Sequence, residues 1–399
     1  MSWRFFSPKR ESENGIVLDI GSKSVGGGIF VKKNGTKPVF NFVTRGKFPF
    51  KKNLSGETLS TVMLKSLDTV LADIEQFASK NFKDTRSRQR FDSVTVLVSS
   101  PWHAAETKTL SLQFQQPSLI TESVVEELLA EEERSFEARF EGNKRNGLGV
   151  LERKIVEMRI NGYPTSKPYG KKATHLEVRM FGSVILSEFM EKIKNVIDKY
   201  APEAGLLFHT FSVAAYASIR DSFPNIDSFL LVQVGGEVSD IAIIKRGAIV
   251  ETESFPSGHN SLLRSLDKIC HSVPECTLEG LIALHGESAA ETGDQNKVDA
   301  AIVDTKTSWL SHFNAAISGF SEETFLPKTI FLVEENPYTA LFKDFLTGAE
   351  ASQFTLTAEP FIVNVVDRTV TASLAEFDKN VLPDEVLAMA VSLSSKTAS

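Results

Sequence analysis

At 399 residues the chain has room for two or three compact units at about 100–200 residues each, and its 42% hydrophobic and 24% charged residues exclude disordered, collagenous and low-complexity classes. A net charge of -7 with pI ≈ 5.7 gives no overall attraction for nucleic acid or anionic lipid, so a generic nucleic-acid binder is excluded. The two cysteines, Cys270 and Cys276, cannot staple a chain of this size and read as free thiols of a reducing cytoplasm.

Residues 1–14 read as a short tail. Its Trp3, Phe5 and Phe6, beside Arg4, Lys9 and Arg10, are too few to anchor the protein in a bilayer and are expected to tuck onto the body. Two strands at 15–22 and 25–31, joined by a glycine turn, and a third near 39–43 form a β-meander. Leu59, Met63, Leu67, Val70, Leu71, Ile74 and Phe77 then recur at helical spacing with Ser55 as N-cap, and a strand follows at 94–99. Residues 102–182 read as an inserted subdomain with an acidic, solvated helix (Glu126 to Glu133), a Gly/Asn-rich loop at 141–149, and strands at 155–160 and 175–181.

Leu186, Phe189, Met190, Ile193, Val196, Ile197 and Tyr200 mark a helix from residue 184 to 200. Strands at 229–234, 238–244 and 248–250, with a hairpin turn at Lys245-Arg-Gly247, then repeat the opening meander. A helical segment at 276–325, a strand at 329–333, a helix opening at Pro337 and a last helix at 384–393 complete the chain. The repeat divides it into a first half (15–101 and 183–222) and a second half (223–399) with a small helical insertion at about 274–326. No run approaches the roughly 20 apolar residues of a membrane helix.

There is no G-x-x-x-x-G-K-[ST] loop, no G-x-S-x-G elbow, no H-E-x-x-H and no paired C-x-x-C, which removes support for serine- and metal-hydrolase readings. Cys270, His271 and Cys276 lack a fourth ligand at zinc spacing and read as two core thiols and a surface histidine. The informative pattern is a pair of glycine turns, Asp19-Ile-Gly-Ser-Lys-Ser-Val-Gly26 and Gln233-Val-Gly-Gly-Glu-Val-Ser-Asp240. Alone, each is a hairpin. Facing each other across a cleft, two such turns present backbone N–H groups to phosphates, and glycine is needed because a side chain would block the approach.

In this order the two turns resemble the phosphate motifs of the actin-like ATPase superfamily, in the bacterial branch that holds the cell-division protein FtsA and the type IV pilus assembly protein PilM. The tail before residues 15–22, Asn161-Gly-Tyr163 with Pro168-Tyr-Gly-Lys171 and Leu176-Glu-Val178, Phe255-Pro-Ser-Gly-His-Asn260 and Leu387-Ala-Met-Ala-Val391 extend the likeness over nearly the whole chain. The resemblance implies an α/β, actin-like fold of two ribonuclease-H-like halves, each around a mixed five-stranded sheet, with inserted subdomains. It implies ATP and Mg²⁺ as cofactors. Asp19 would hold the metal through water, Gly21 and Ser22 would meet the β-phosphate, Lys23 would partly substitute from the turn for the family's lysine, and Gly235, Gly236 and Ser239 would cradle the γ-phosphate. Asp240 would position metal or water, and Gly258, Glu335 and Asn336 would complete the nucleotide site. Asp19 and Asp240 also read, without any ligand, as turn-capping residues.

The departures from that pattern matter as much. The usual lysine of the second strand is Gly26, the first aspartate of the second motif is Gln233, the lysine over the base falls near Ile282, and the usual Gly-Gly is Glu335-Asn336 before Pro337. A charge-assisted hydrogen bond contributes about 1.5–3 kcal/mol, so two missing lysines remove roughly 3–6 kcal/mol. ATP and Mg²⁺ are therefore expected to bind weakly, with weak or absent hydrolysis. The resemblance then implies a cytoplasmic scaffold that docks the cytoplasmic peptide of a membrane assembly protein. It would sit at the inner face of the cell membrane through that partner, in a pilus-assembly or cell-division-like machine, as a homo-oligomer or filament and without nucleic acid. The rival readings are an active ATPase, a small-molecule kinase on the same fold, or an FtsA-like filament former; residues 394–399 lack the amphipathic helix the last would need.

Overall fold

The computed structural model describes residues 12–50, 55–81, 91–140, 147–270, 293–320, 325–334, 338–348, 355 and 359–397. The tail aromatics and most of the Gly/Asn-rich loop lie outside them. The chain opens with β1 (Ser12–Ile20), β2 (Ser24–Lys33) and β3 (Val39–Lys47), an antiparallel meander. Strand alternation sends Ile16, Leu18 and Ile20 to one core and Val17 to another, so this sheet is buried on both faces. Helix α1 (Gly56–Asn81) is capped by Ser55, whose Oγ accepts from Thr58 N at 3.2 Å, and lays its apolar stripe on the sheet. Strand β4 (Ser93–Val98) then returns parallel to β1.

Strand β5 (His103–Leu119), helix α2 (Glu122–Phe140), β6 (Leu148–Ile160), β7 (Tyr163–Pro164) and β8 (Lys172–Leu186) form a separate antiparallel sheet of order β5-β8-β6-β7. A small core of Leu110, Ile120, Val125, Leu129, Leu176 and Val178 joins it to α2. Its strands outrun the sequence reading, because Ser, Thr and Glu positions pair as readily as the apolar ones when one face meets solvent. Helix α3 (Ser187–Ile197) starts later than the apolar spacing suggests, since residues 184–186 stay paired to β5 and β6. Strand β9 (Gly205–Thr210) lies parallel to β4 and leads into α4 (Phe211–Ser222), a helix buried over most of its length up to Ile219.

The repeat follows as β10 (Phe229–Val234), β11 (Ser239–Lys245) and β12 (Ala248–Phe255), then α5 (His259–Cys270), α6 (Gly293–Ser318), β13 (Thr329–Val333), α7 (Thr339–Thr347) and β14 (Ile362–Val365). The described part of the expected 276–325 helix ends at Ser318, and Leu326 instead makes an isolated bridge to Thr355. Helix α8 (Arg368–Leu374), β15 (Glu376–Phe377) and α9 (Glu385–Thr397) close the chain.

The two large sheets share one plan. β1 is antiparallel to β2 and parallel to β4, and β10 is antiparallel to β11 and parallel to β13, giving orders β15-β3-β2-β1-β4-β9 and β12-β11-β10-β13-β14. The first sheet has six strands where five were expected, because β15 returns to pair Glu376 with Val39 and Phe377 with Phe40. Between the sheets, α4 and α9 fill one continuous core that runs from Val17 and Leu97 through Leu387 to Val391 and on to Leu231 and Phe331. That shared core brings the β1–β2 and β10–β11 turns to the same place.

Candidate functional site

Both glycine turns have the same local form: Gly21 N donates to Ser24 O at 3.1 Å, and Gly235 N to Val238 O at 2.9 Å. They touch each other directly. Glu237 N donates to Ser22 Oγ at 3.1 Å, and a Cβ built on Gly236 would stand 2.8 Å from Lys23 Cβ. The glycine requirement at Gly236 is thus met by loop-to-loop contact. Gly258 lets the start of α5 close on the second turn: His259 N and Asn260 N donate to Gly235 O and Gly236 O, each at 3.0 Å, and a Cβ at Gly258 would fall 2.2 Å from Gly235 O. Those amides are spent on the protein's own carbonyls.

The charged groups at the turns are paired within the chain. Gly26 lies opposite Arg45 in the β2–β3 register, and a Cβ on Gly26 would come 2.5 Å from Arg45 Nη2, so the missing lysine leaves the space that the guanidinium occupies. Arg45 Nη1 donates to Asp19 Oδ2 at 2.8 Å and Ser24 Oγ at 2.9 Å, while Nη2 reaches Asp384 Oδ2 at 2.8 Å. Lys23 Nζ lies 3.3 Å from Glu334 Oε1, and the His259 ring, stacked on Tyr338 at 4.3 Å, approaches the same oxygen at 3.4 Å.

Gln233 Nε2 donates to Ser99 Oγ at 3.2 Å. Asp240 Oδ1 accepts from Ser100 Oγ at 2.6 Å and Ser254 Oγ at 2.5 Å. The Ser239 hydroxyl faces the core, donating to Ser257 O at 2.6 Å and accepting from Trp309 Nε1 at 3.1 Å. Burial alone would raise the Glu237 carboxyl. Hydrogen bonds from Arg264 and Asn260, with the charges of Arg264 and His259, outweigh it and hold that group below its ordinary value.

Between the turns remains a cavity of about 50 Å³, lined among others by Asp19, Gly21, Ser99, Gln233, Asp240 and Glu385. Beside this cavity Asp19 and Lys23, the charged groups expected to face metal and phosphate, are engaged by Arg45 and Glu334. The structure therefore brings Asp19, Gly21, Ser22, Lys23, Gly235, Gly236, Asp240 and Gly258 together and turns Ser239 away; Glu335, Asn336 and Ile282 lie outside the described residues. Among the described residues there is no group of three or more His, Cys, Asp or Glu side chains suited to a metal ion. Sequence reasoning missed Arg45, Glu334, Tyr338 and Asp384. Only Arg45 left a signal, as the cation that strand pairing sets across from Gly26.

A second concavity adjoins the first. The β4–β5 connection places Trp102 at the junction of the first sheet and the inserted one, beside a mainly apolar groove of about 470 Å³ lined by Trp102, Ala104, Leu129, Leu148, Val150, Met180, Val184 and Leu186. Val150 is 53% and Leu186 50% exposed, so apolar surface there faces water. The Trp102 ring stacks on Phe189 at 4.8 Å and its Nε1 donates to Gly21 O at 2.8 Å, tying the groove to the first turn. Buried Glu152 lies at the groove and accepts from Thr210 Oγ1 at 2.6 Å, Ser183 Oγ at 3.1 Å and Thr210 N at 3.3 Å. Among the described residues no helix is long and apolar enough to cross a membrane.

The duplicated meanders, the helices α4 and α9 packed between them and the facing glycine turns define the actin-like ATPase fold. The chain is similar to the PilM-PilN type IV pilus biogenesis complex, with a TM-score of 0.60 and 13% identity over 97% of this chain and 99% of that one. It is also similar, more distantly, to MreB 5 of Spiroplasma citri bound to AMPPNP (TM-score 0.45, 10% identity, 97% of each chain) and to the ethanolamine utilization protein EutJ of Carboxydothermus hydrogenoformans (0.43, 12%, 96% and 90%). At these identities the likeness is one of fold. No protein-family description and no curated protein matches the sequence.

Proposed function

We propose that the protein is a PilM-like scaffold with a degenerate nucleotide cleft, which holds the cytoplasmic peptide of a membrane partner in the groove beside Trp102. The observation that carries this reading is the contrast between the two concavities. The cleft between the turns is filled by Arg45, Lys23 and their carboxylates, whereas the Trp102 groove is open, apolar and several times larger. Each leucine-sized side chain buried there contributes about 1.5–3 kcal/mol. The PilM-PilN structure, a complex of this fold with a protein partner, supports a protein occupant. On this reading the protein reaches the inner face of the membrane only through that partner, in a pilus-assembly or division-like machine. The inserted subdomain, 102–182, supplies most of the groove's lining, the first half (15–101 with 183–222) adds Pro101 and residues 183–186, and among the described residues none of the lining comes from the second half, 223–399. The packed cleft counts against the active-ATPase and kinase readings.

The test is recovery of membrane proteins by the full chain and by Val150→Asp with Leu186→Asp, two exposed positions whose change leaves the core intact. The double variant is expected to lose the partner that the unmodified chain retains. Equal recovery by both would overturn the assignment of the groove.

A further inference from the structure

A larger groove, of about 900 Å³, lies on another side of the inserted sheet, where β6 and the 163–169 turn face the β11–β12 hairpin. It shares no lining residue with the Trp102 groove, so the following holds whichever ligand that groove takes. We propose that this groove is a docking site for an acidic peptide segment of a partner protein, one that alternates carboxylates with apolar side chains.

The argument is charge complementarity. Four cations line the groove, Arg159 and Arg179 from the inserted sheet and Lys245 and Arg246 from the hairpin, against the carboxylates of Glu157 and Glu177. Lys171 joins them at the rim through its 3.0 Å bond to Thr165 Oγ1. Glu157 is taken by Arg159 at 3.0 Å, and Glu251, just outside the lining, stands 3.8 Å from Arg179. Lys245 and Arg246 have no ion pair within 4 Å among the described residues. This concentration of positive charge sits on a protein of net charge -7. Burial holds the Lys245 ammonium below its ordinary pKa against the pull of Glu251, with smaller contributions from the charges of Arg179 and Arg246.

The shape narrows the ligand class. The cations sit on two walls, with Ile155, Met158, Pro168, Tyr169 and Val250 among the apolar groups between them, so a matching ligand carries negative charge at more than one point and an apolar group in the middle. A lone phosphate supplies neither. A bilayer is flat and would meet only the rim, where Tyr163 is 78% exposed, leaving Lys245 and Val250 untouched.

The test is an anisotropy titration of the full chain with a fluorescein-labelled eight-residue peptide in which glutamates alternate with valine and phenylalanine, and with its counterpart carrying lysine for glutamate. The acidic peptide is expected to bind and the basic one not. Lys245→Glu with Arg246→Glu, surface changes on a hairpin, should weaken binding at least tenfold, Lys245→Arg should preserve it, and Lys80→Glu, an exposed charge reversal on α1, should leave it unchanged. Absence of binding at millimolar peptide, equal binding of the basic peptide, or equal weakening by Lys80→Glu would each overturn the proposal. Flotation with phosphatidylserine vesicles lost in the same double variant, with no peptide response, would overturn it in favour of a membrane surface.

Discussion

Arg45 and Asp19 form a buried ion pair, 2.8 Å from Nη1 to Oδ2, at the point where the actin-like pattern puts a metal-binding aspartate. The side chains are 16% and 6% exposed, and Asp384 shares the same guanidinium. Truncating a buried pair leaves the remaining charge uncompensated and costs about 3–5 kcal/mol. Arg45→Met is accordingly expected to lower the unfolding free energy by about that amount. Adding Asp19→Asn should restore part of the loss. Urea unfolding of the three proteins checks both statements, and a single variant as stable as the parent would show that the pair has no structural weight.

Magnesium ATP is expected to bind at millimolar levels or not at all, and not to turn over. Gln233→Asp restores the carboxylate of the second motif, yet it leaves Asp19 with Arg45, Lys23 with Glu334, and the turns in contact through Ser22 and Glu237. It is therefore not expected to create an ATPase. Calorimetric titration and a phosphate-release assay on both proteins decide the matter; micromolar binding with steady turnover would establish the active-enzyme reading.

Much of this fold was legible because it is written locally. Alternating apolar residues around glycine turns mark β1–β2 and β10–β11, and their recurrence marks the duplication. What escaped is non-local. The two residues of β15 carry too little pattern to be read as a strand, and they pair only because the chain returns to β3 after the second sheet. Strand β5 alternates apolar residues only at Leu110, Leu112 and Phe114, and the rest of its length, with one solvent-facing side, carries little pattern to betray it. At the site, the substitution of Gly26 was visible as a lost lysine. Its meaning as space for Arg45 depended on a register that spacing alone does not give. The same holds for His259, whose stacking on Tyr338 beside Glu334 needs the folded chain.

Glu237 supplies a pH prediction. Its folded-state pKa is depressed, so the stability it contributes is present above the ordinary carboxylate value of about 4.3 and is lost as pH falls through the lower folded value. Arg264 makes two of the bonds responsible, at 2.6 and 3.1 Å. Parent and Arg264→Met should differ in unfolding free energy at pH 7, and the gap should narrow as pH drops below about 4. A gap that stays constant down to pH 3 would place the effect of Arg264 in packing of its stem rather than in the carboxylate pair.

Trp102 gives the last prediction because it links the two concavities, lining one and bonding to Gly21 of the other. Its ring packs on Phe189 and lines the apolar groove, while its N–H satisfies the carbonyl of Gly21 in the first turn. Trp102→Phe keeps an aromatic ring in the groove and removes only the donor, leaving Gly21 O without that bond at a cost of about 1 kcal/mol. Recovery of a membrane partner should therefore survive the change. Exchange of amide hydrogens in the Gly21–Ser24 turn should speed up by about fivefold, the equivalent of that free energy at room temperature, with the β10–β11 turn following through the Glu237-to-Ser22 bond. Hydrogen exchange read by mass spectrometry on the parent and the variant measures both turns at once. If exchange at the turns is unaltered, the indole N–H does not couple groove to cleft, and the two concavities act independently.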